Sequence, residues 1–504
     1  MTVRPDRSIG RFASGLAVGL LLAGLLTPLA FAHQLAGTSS ATPALTTGAA
    51  PATGAGGGTQ TVGDGTGSTA NEVTGQSGAV QSASAKTGTA PGSRVTGAAA
   101  AAGVTDIGVT ATTIKLGVGL LDTGGLSQAG VDVVASTADQ QTAWQAFIDD
   151  LNGRGGVAGR KVEAAFHKYD ILSEASMRAA CLYWTEEAKV FAVVEAFGYF
   201  GPPVLCITQE HQTPFLARGG VGIPADYFTK SQGRLFVFTQ GGDRMMRNLA
   251  AELGALKGFK GDKVGIVDGG SLYSPQTVDI LQSALTKAGH TVVRRSTLAA
   301  DMDTAASQVP LEVQQMRVAG ATEVILNTDL VLSTQWVNAA SSQGWNPRYY
   351  ASDWAAMSGD FSTIGMPAAF DGSIAFTVTR NGDWRAGWPE PPTEVHCRQI
   401  YEGRTGKKLN RSGSTNDNNA YLDAIAPCSP LALFEAGATA VGHGLTRAAL
   451  SAAIQAIGPF AATSIGGGSF RPGKFDAPDL IRTEVWDKSC TCWRPAGTFH
   501  PGAF

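Results

Sequence analysis

The chain has 504 residues, long enough for two or three domains with sizeable cores. A formal net charge of −3 with only 16% charged residues provides neither a nucleic-acid surface nor a strongly acidic tail. The compositional outlier is glycine, 64 residues, many of them in one early segment.

Arg4, Arg7 and Arg11 precede an apolar run from Phe12 to Ala32 that closes on Ala30-Phe31-Ala32. A charged start, an apolar stretch and small residues at a cleavage site form a secretory signal. The run is also about long enough to span a bilayer, so an uncleaved anchor over residues 1–34 is the alternative. No cysteine lies nearby to accept a lipid, and on either reading the folded part works outside the cytoplasm. Residues 35–105 are Gly, Ala, Thr and Ser with few large side chains, which predicts a disordered linker. In an exported chain an even set of six cysteines points to disulfides rather than to metal or catalysis. The expected pairs are Cys181 with Cys206, Cys397 with Cys428, and Cys490 with Cys492. No histidine cluster accompanies the Cys-x-Cys, and neither metal nor cofactor is expected.

From Asp106 onward, short apolar runs alternate with segments of helical period. Ile114–Leu120 predicts a strand, followed by the turn Asp122-Thr123-Gly124-Gly125 and a helix that buries Trp144, Phe147, Ile148 and Leu151. Strands at Lys161–His167, Val190–Glu195 and Pro214–Ala217 follow, with a helix over Glu174–Ala188 and the loop Gly198-Tyr199-Phe200-Gly201. After Phe236-Val237-Phe238 the rhythm restarts, with Asp243 a candidate N-cap. Lys263–Val293 is a strand, a Gly-rich loop, a helix and a second strand, the unit of a parallel α/β sheet. Strands at Glu323–Leu326, Tyr349–Ala351 and Ile374–Val378 come next. Helices at Glu394–Tyr401 and Ala420–Ala440 and a last strand at Ile481–Trp486 complete the series. The run Asn416-Asp417-Asn418 is expected to start a helix rather than to hold calcium.

Three stretches carry a resemblance: Ile114-Lys115-Leu116-Gly117 with its Gly-rich loop, the run Leu151-Asn152-Gly153-Arg154-Gly155-Gly156-Val157-Ala158-Gly159-Arg160-Lys161-Val162, and Lys263–Val293. In this order they resemble type 1 periplasmic binding proteins. The branch is the substrate-binding component of branched-chain amino-acid-type ABC importers. The resemblance implies an α/β fold of two doubly wound parallel-sheet lobes joined by three crossovers, with a ligand between them. The expected boundaries are 106–239 and 378–480 for lobe 1, and 240–377 and 481–504 for lobe 2. Crossover candidates are Gln240-Gly241-Gly242, Phe376–Thr379 and Asp479–Arg482. The resemblance also implies a monomer that delivers a small-molecule ligand to an ABC permease, with no nucleic-acid partner.

Ligands of open parallel sheets gather at the carboxyl ends of the strands. Thr123, Gly124, Gly125 and Gly198 are therefore candidates to cradle a carboxylate with backbone N–H groups, and Gly201 with them. Arg218, followed by Gly219, could pair bidentately with an anion. Asp353 beside Trp354 suits an ammonium or amide group, at the strand end where the resemblance implies a contact with the ligand amine. Tyr273 resembles an aromatic lid, Tyr199 and Phe200 are candidate walls, and Asp329 and Asp122 are further candidates. Where the family's first-lobe loops supply small hydroxyl residues, this chain has Gly198-Tyr199-Phe200 and Ala217-Arg218-Gly219. That departure argues against leucine, isoleucine or valine as the ligand. The chain lacks Walker spacing, a dinucleotide fingerprint and a Gly-x-Ser-x-Gly elbow, so no enzyme motif competes. A sensing receptor of the same fold without transport, and behind it a secreted hydrolase, remain the alternatives.

Overall fold

β1 (Thr113–Leu121) shows how the sequence builds this molecule. Its even positions Ile114, Leu116, Val118 and Leu120 enter one core, while Gly117 and Gly119 lie on the opposite face. The glycines are required there by close approach. A Cβ on Gly117 would lie 2.9 Å from the Trp184 ring, and one on Gly119 would lie 3.0 Å from Tyr169. Both faces of the strand are thus covered, as a parallel sheet between helical layers demands.

The computed structural model describes residues 103–128, 135–218, 222–270, 275–354, 357–359 and 366–503. The expected signal or anchor and nearly all of the expected linker lie outside the described residues, as do Gly219 and Tyr273. After β1 come α1 (Thr123–Gln128), α2 (Thr137–Gly153), β2 (Lys161–Tyr169), α3 (Glu174–Leu182), β3 (Ala192–Glu195), α4 (Pro203–Leu205), β4 (Phe215–Ala217), α5 (Ala225–Lys230) and β5 (Leu235–Val237). These strands form one parallel sheet in the order β2-β1-β3-β4-β5.

The second sheet receives α6 (Gly242–Ala255), β6 (Val264–Gly269), α7 (Pro275–Lys287), β7 (Val292–Leu298), α8 (Met302–Val318), β8 (Glu323–Asn327), α9 (Leu330–Ser342), β9 (Arg348–Ser352) and β10 (Ile374–Thr377). Val324 and Leu326 of β8 pack toward α8 and α9, while Ile325 packs toward α6 and α7. The chain then returns to the first sheet with α10 (Pro392–Thr405), α11 (Thr415–Ile425), α12 (Cys428–Val441), α13 (Arg447–Gln455) and the short pair β11 (Gly458–Pro459) and β12 (Ser469–Phe470). It finishes on the second sheet with β13 (Leu480–Asp487), β14 (Cys492–Pro495) and β15 (His500–Pro501), giving the order β14-β13-β10-β9-β8-β6-β7 with β15 beside β13. β13 runs antiparallel to β10, so the second sheet is mixed at that edge. The two lobes are therefore each assembled from separated pieces of chain.

The chain passes between lobes three times: after β5, after β10 and before β13. Asp476 clasps the first passage to the third, accepting from Gly241 N at 2.7 Å and pairing with Arg244 at 2.8 Å. Gly241, not Asp243, is the N-cap of α6. Gly242 N donates to Ile223 O at 2.6 Å, so the helix begins earlier, and Asp243 accepts from Ala225 N instead. Ser414 and Asp417 form a capping box that starts α11, as the Asn-Asp-Asn run led one to expect. The predicted single helix over Ala420–Ala440 is two, broken before Cys428 beside Pro427. The apolar stretch Asn416–Gly444 is long enough to cross a membrane, yet 67% of its most apolar window is buried.

All six cysteines are paired as expected: Cys181–Cys206, Cys397–Cys428 and Cys490–Cys492. The first joins α3 to the turn after α4, the second joins α10 to α12, and the third closes the β13–β14 hairpin.

Candidate functional site

In lobe 1, Asp122 follows β1, pairs with Lys168 at 2.9 Å and accepts from Gly124 N at 3.1 Å. Those two bonds hold its carboxyl below the usual range. Thr123, Gly124 and Gly125 are not an open turn but the first turn of α1. The Gly124 N–H expected to cradle a ligand is already spent on Asp122, and the Asp170 carboxylate lies 3.3 Å from where a Gly125 Cβ would stand.

At the end of β3, Glu195 is fully buried. Its Oε1 accepts from Phe197 N and from Gly198 N (2.6 Å), with the Tyr169 hydroxyl 2.9 Å away. Its Oε2 has no hydrogen-bond partner, and burial pushes its pKa up. Gly198 N is thereby used inside the lobe and is not free for a ligand. Tyr199 is 1% exposed, with its hydroxyl donating to Met177 O at 2.5 Å and its ring against Tyr169, Trp184 and Phe215. It is core, not a wall, because a ring enclosed by three others presents no face outward. Phe200 is partly buried against the same cluster.

Arg218 follows β4 and is partly buried. Among the described residues no hydrogen bond or ion pair reaches its guanidinium. Burial lowers its pKa, opposed by the charges of Asp423, Glu195 and Glu394. Burial likewise lifts Asp423 to about 6, against the pull of Arg218 and of the nearby Ala135 N–H. Asp423 also lines a pocket of about 220 Å³ walled by Ala135, Gln140, Tyr401 and Leu409, with Lys407 and Lys408 in its lining.

In lobe 2, Asp353 is fully occupied. Oδ1 accepts from Thr377 Oγ1 (2.6 Å) and Ser358 Oγ, and Oδ2 accepts from Val378 N at 2.7 Å. It ties β9 to the second passage between lobes, so the expected ammonium contact has no free oxygen facing it. Asp329 is the N-cap of α9, with Oδ1 accepting from Leu332 N at 2.9 Å. Its Oδ2 has no partner and stands 2.5 Å from where a Gly270 Cβ would be, a space that only glycine leaves open. Trp354 is buried with its Nε1 unpaired, and its ring packs on two glycines. A Cβ on Gly222 of lobe 1 would lie 2.7 Å from Cε3, and one on Gly242, at the start of α6, would lie 3.1 Å from Cζ3.

The sequence reading missed Asn327, the last residue of β8, which is 1% exposed with neither amide atom hydrogen-bonded. A dry, unpaired polar group costs about 1–3 kcal/mol, so both atoms of one amide left open mark a place built for something else. Thr239 Oγ1 and Gln240 Nε2, on the first passage between lobes, are buried and unpaired as well. The signal available in sequence was a polar residue prolonging the Glu323–Leu326 run.

A family model for periplasmic binding proteins matches residues 113–479. The chain belongs to that family. Membership implies an extracytoplasmic place of work. Among solved structures, the chain is similar to a solute-binding protein of an ABC transporter from Rhodopseudomonas palustris BisB5 in complex with 3,4-dihydroxybenzoic acid, at 14% identity and TM-score 0.56, covering 77% of this chain and 98% of that one. It is also similar to a fatty acid ABC transporter substrate-binding protein from Thermomonospora curvata, at 17% identity and TM-score 0.54, covering 79% and 94%. A third is the ABC transporter substrate-binding protein of Desulfitobacterium hafniense in complex with Leu, at 15% identity and TM-score 0.51, covering 76% and 99%. At such identities these likenesses establish the fold of this periplasmic binding protein. No curated protein matches the sequence.

Proposed function

We propose that this protein captures a small polar solute, an amino acid, an amide or a small carboxylate, between its lobes and delivers it to an ABC permease. The observation that carries the reading is the seat of Trp354. This ring from the carboxyl end of β9 packs on Gly222, in the segment joining β4 to β5, so strand-end loops of the two lobes meet. Unpaired polar atoms stand at the strand ends and on the first passage: Asn327, Asp329 Oδ2, Gln240 Nε2 and, in lobe 1, Glu195 Oε2. Such groups are the hydrogen-bonding complement of a solute that closure would desolvate. Arg218 and Phe200 would grip from lobe 1, and Asn327 and Trp354 from lobe 2, with Gly219 and Tyr273 as further candidates. The neighbours bound to 3,4-dihydroxybenzoic acid and to Leu hold solutes of this class. Export through residues 1–34, with 35–105 as a tether, completes the reading.

Thermal-shift screening against amino acids, amides and small carboxylates, followed by small-angle scattering of the best binder, tests it. One solute bound per chain with a smaller radius of gyration is expected. Turnover of the solute, or saturable binding that Asn327→Ala and Trp354→Ala both leave untouched, would refute it.

A further inference from the structure

Arg218 stands in an unusual balance. Its guanidinium carries five N–H donors and is partly buried, yet no described residue accepts from it. Three carboxylates on three elements act on its charge without forming an ion pair within 4.0 Å: Glu195 at the end of β3, Asp423 on α11 and Glu394 on α10. Glu195 and Glu394 are held in part by other groups. Glu195 Oε1 is bound by Phe197 N, Gly198 N and the Tyr169 hydroxyl. Glu394 accepts from Tyr421 (3.0 Å) and Ser464 N (3.2 Å), with Arg411 and Arg380 nearby. Asp423 has the Ala135 N–H close beside it. The acids thus balance the cation's charge while leaving its donors open, an arrangement suited to an incoming anion and wasteful for a structural ion pair.

We infer that the captured solute is an anion held by Arg218 through a carboxylate or similar group, and that Asp423 and Glu195 act as protonatable competitors for that cation, so capture strengthens as the medium acidifies. The inference rests on the solute-capture reading above.

The direction follows from charge. Ionised Asp423 and Glu195 attract Arg218 and repel an anion beside it; protonated, they do neither. Asp423 is the accessible member, because it opens onto the 220 Å³ pocket through which protons exchange with solvent. The other charges facing it there are Lys407, Lys408 and Asp139. Lys407 is paired with Asp139 at 3.2 Å and Lys408 with Glu402 at 2.9 Å, so both lysines already have carboxylate partners other than Asp423. Its pKa of about 6 puts the change within the mildly acidic range.

Calorimetric titration of the full-length protein with acid–amide pairs tests this: benzoate with benzamide, isovalerate with isovaleramide, leucine with leucinamide. In a bound pair the acid should bind and its amide should not, with an affinity about tenfold higher at about pH 5.5 than at about pH 7.5. Arg218→Gln should abolish that binding and Arg218→Lys should retain part of it, while Asp423→Asn should bind at the higher pH as the unaltered protein does at the lower. Melting curves without solute confirm that each variant folds. If an amide binds as well as its acid and Arg218→Gln leaves it unchanged, the anion inference fails and solute capture stands. Equal affinity at both pH values, or a pH slope untouched by Asp423→Asn, overturns the gating. Binding of no pair at either pH overturns both readings.

Discussion

Two substitutions of Asp353 should behave differently, and the difference measures what its carboxylate does. In Asp353→Ala the Val378 N–H and the Ser358 hydroxyl lose their acceptor in a buried setting, while the Thr377 hydroxyl keeps Thr379 at 2.8 Å. At about 1–3 kcal/mol for each of the two stranded donors, the variant should lose about 2–6 kcal/mol. Asp353→Asn keeps one oxygen for Val378 N, and its amide nitrogen can donate to the Ser358 and Thr377 hydroxyls, which turn to accept. It also removes a carboxyl whose charged form burial disfavours, so its stability should stay within about 1 kcal/mol of the unaltered protein. Urea unfolding gives the global change, and hydrogen exchange over Ile374–Thr379 reads the Val378 N–H itself. The reasoning is refuted if asparagine costs as much as alanine. It is refuted equally if Asp353→Asn folds normally yet no longer binds a solute that the unaltered protein binds, because the carboxylate would then be meeting the ligand after all.

Two other outcomes follow from groups away from the second passage. Asp423 is raised from 3.8 to about 6 by burial, so the folded state binds its proton more tightly than the unfolded chain does. Its ionisation therefore weakens the fold as pH rises through that interval; Asp423→Asn should gain about 1–2 kcal/mol at neutral pH, after discounting for partial exposure, and nothing below about pH 4, as urea unfolding at a series of pH values would show. Replacing both Cys397 and Cys428 with serine opens a loop closed across 31 residues and should cost about 4 kcal/mol on the chain-entropy estimate, seen as a lower unfolding midpoint.

How far the sequence could be read depended on the range of the interactions involved. The β1 alternation, the Ser414 capping box and the cysteine pairs rest on local pattern or on simple order along the chain, and all three are visible without a structure. Strand ends were also locatable, which is why Arg218, Asp353 and Trp354 fell at the tips of their sheets. What occupies a side chain's lone pairs there is set by residues far away in sequence. Tyr199 is core because its hydroxyl meets Met177, and Asp353 is spent because Thr377 and Val378 arrive from the next strand. Glu195 and Asn327 were overlooked for the converse reason. Each closes an apolar run, and only packing shows that Glu195 keeps one oxygen and Asn327 its whole amide without a partner.

The interleaving of the lobes bears on how the molecule can be made. The core beneath β1 takes Val109 at one extreme and Ala477 at the other, and β10 has no neighbour on its far side until β13 is present. A chain emerging from its amino end therefore leaves the first five strands with one face only partly covered, by α2, until α10–α13 follow more than 150 residues beyond β5. Neither half can ripen ahead of the other, so the last hundred residues decide when the whole becomes protease-resistant.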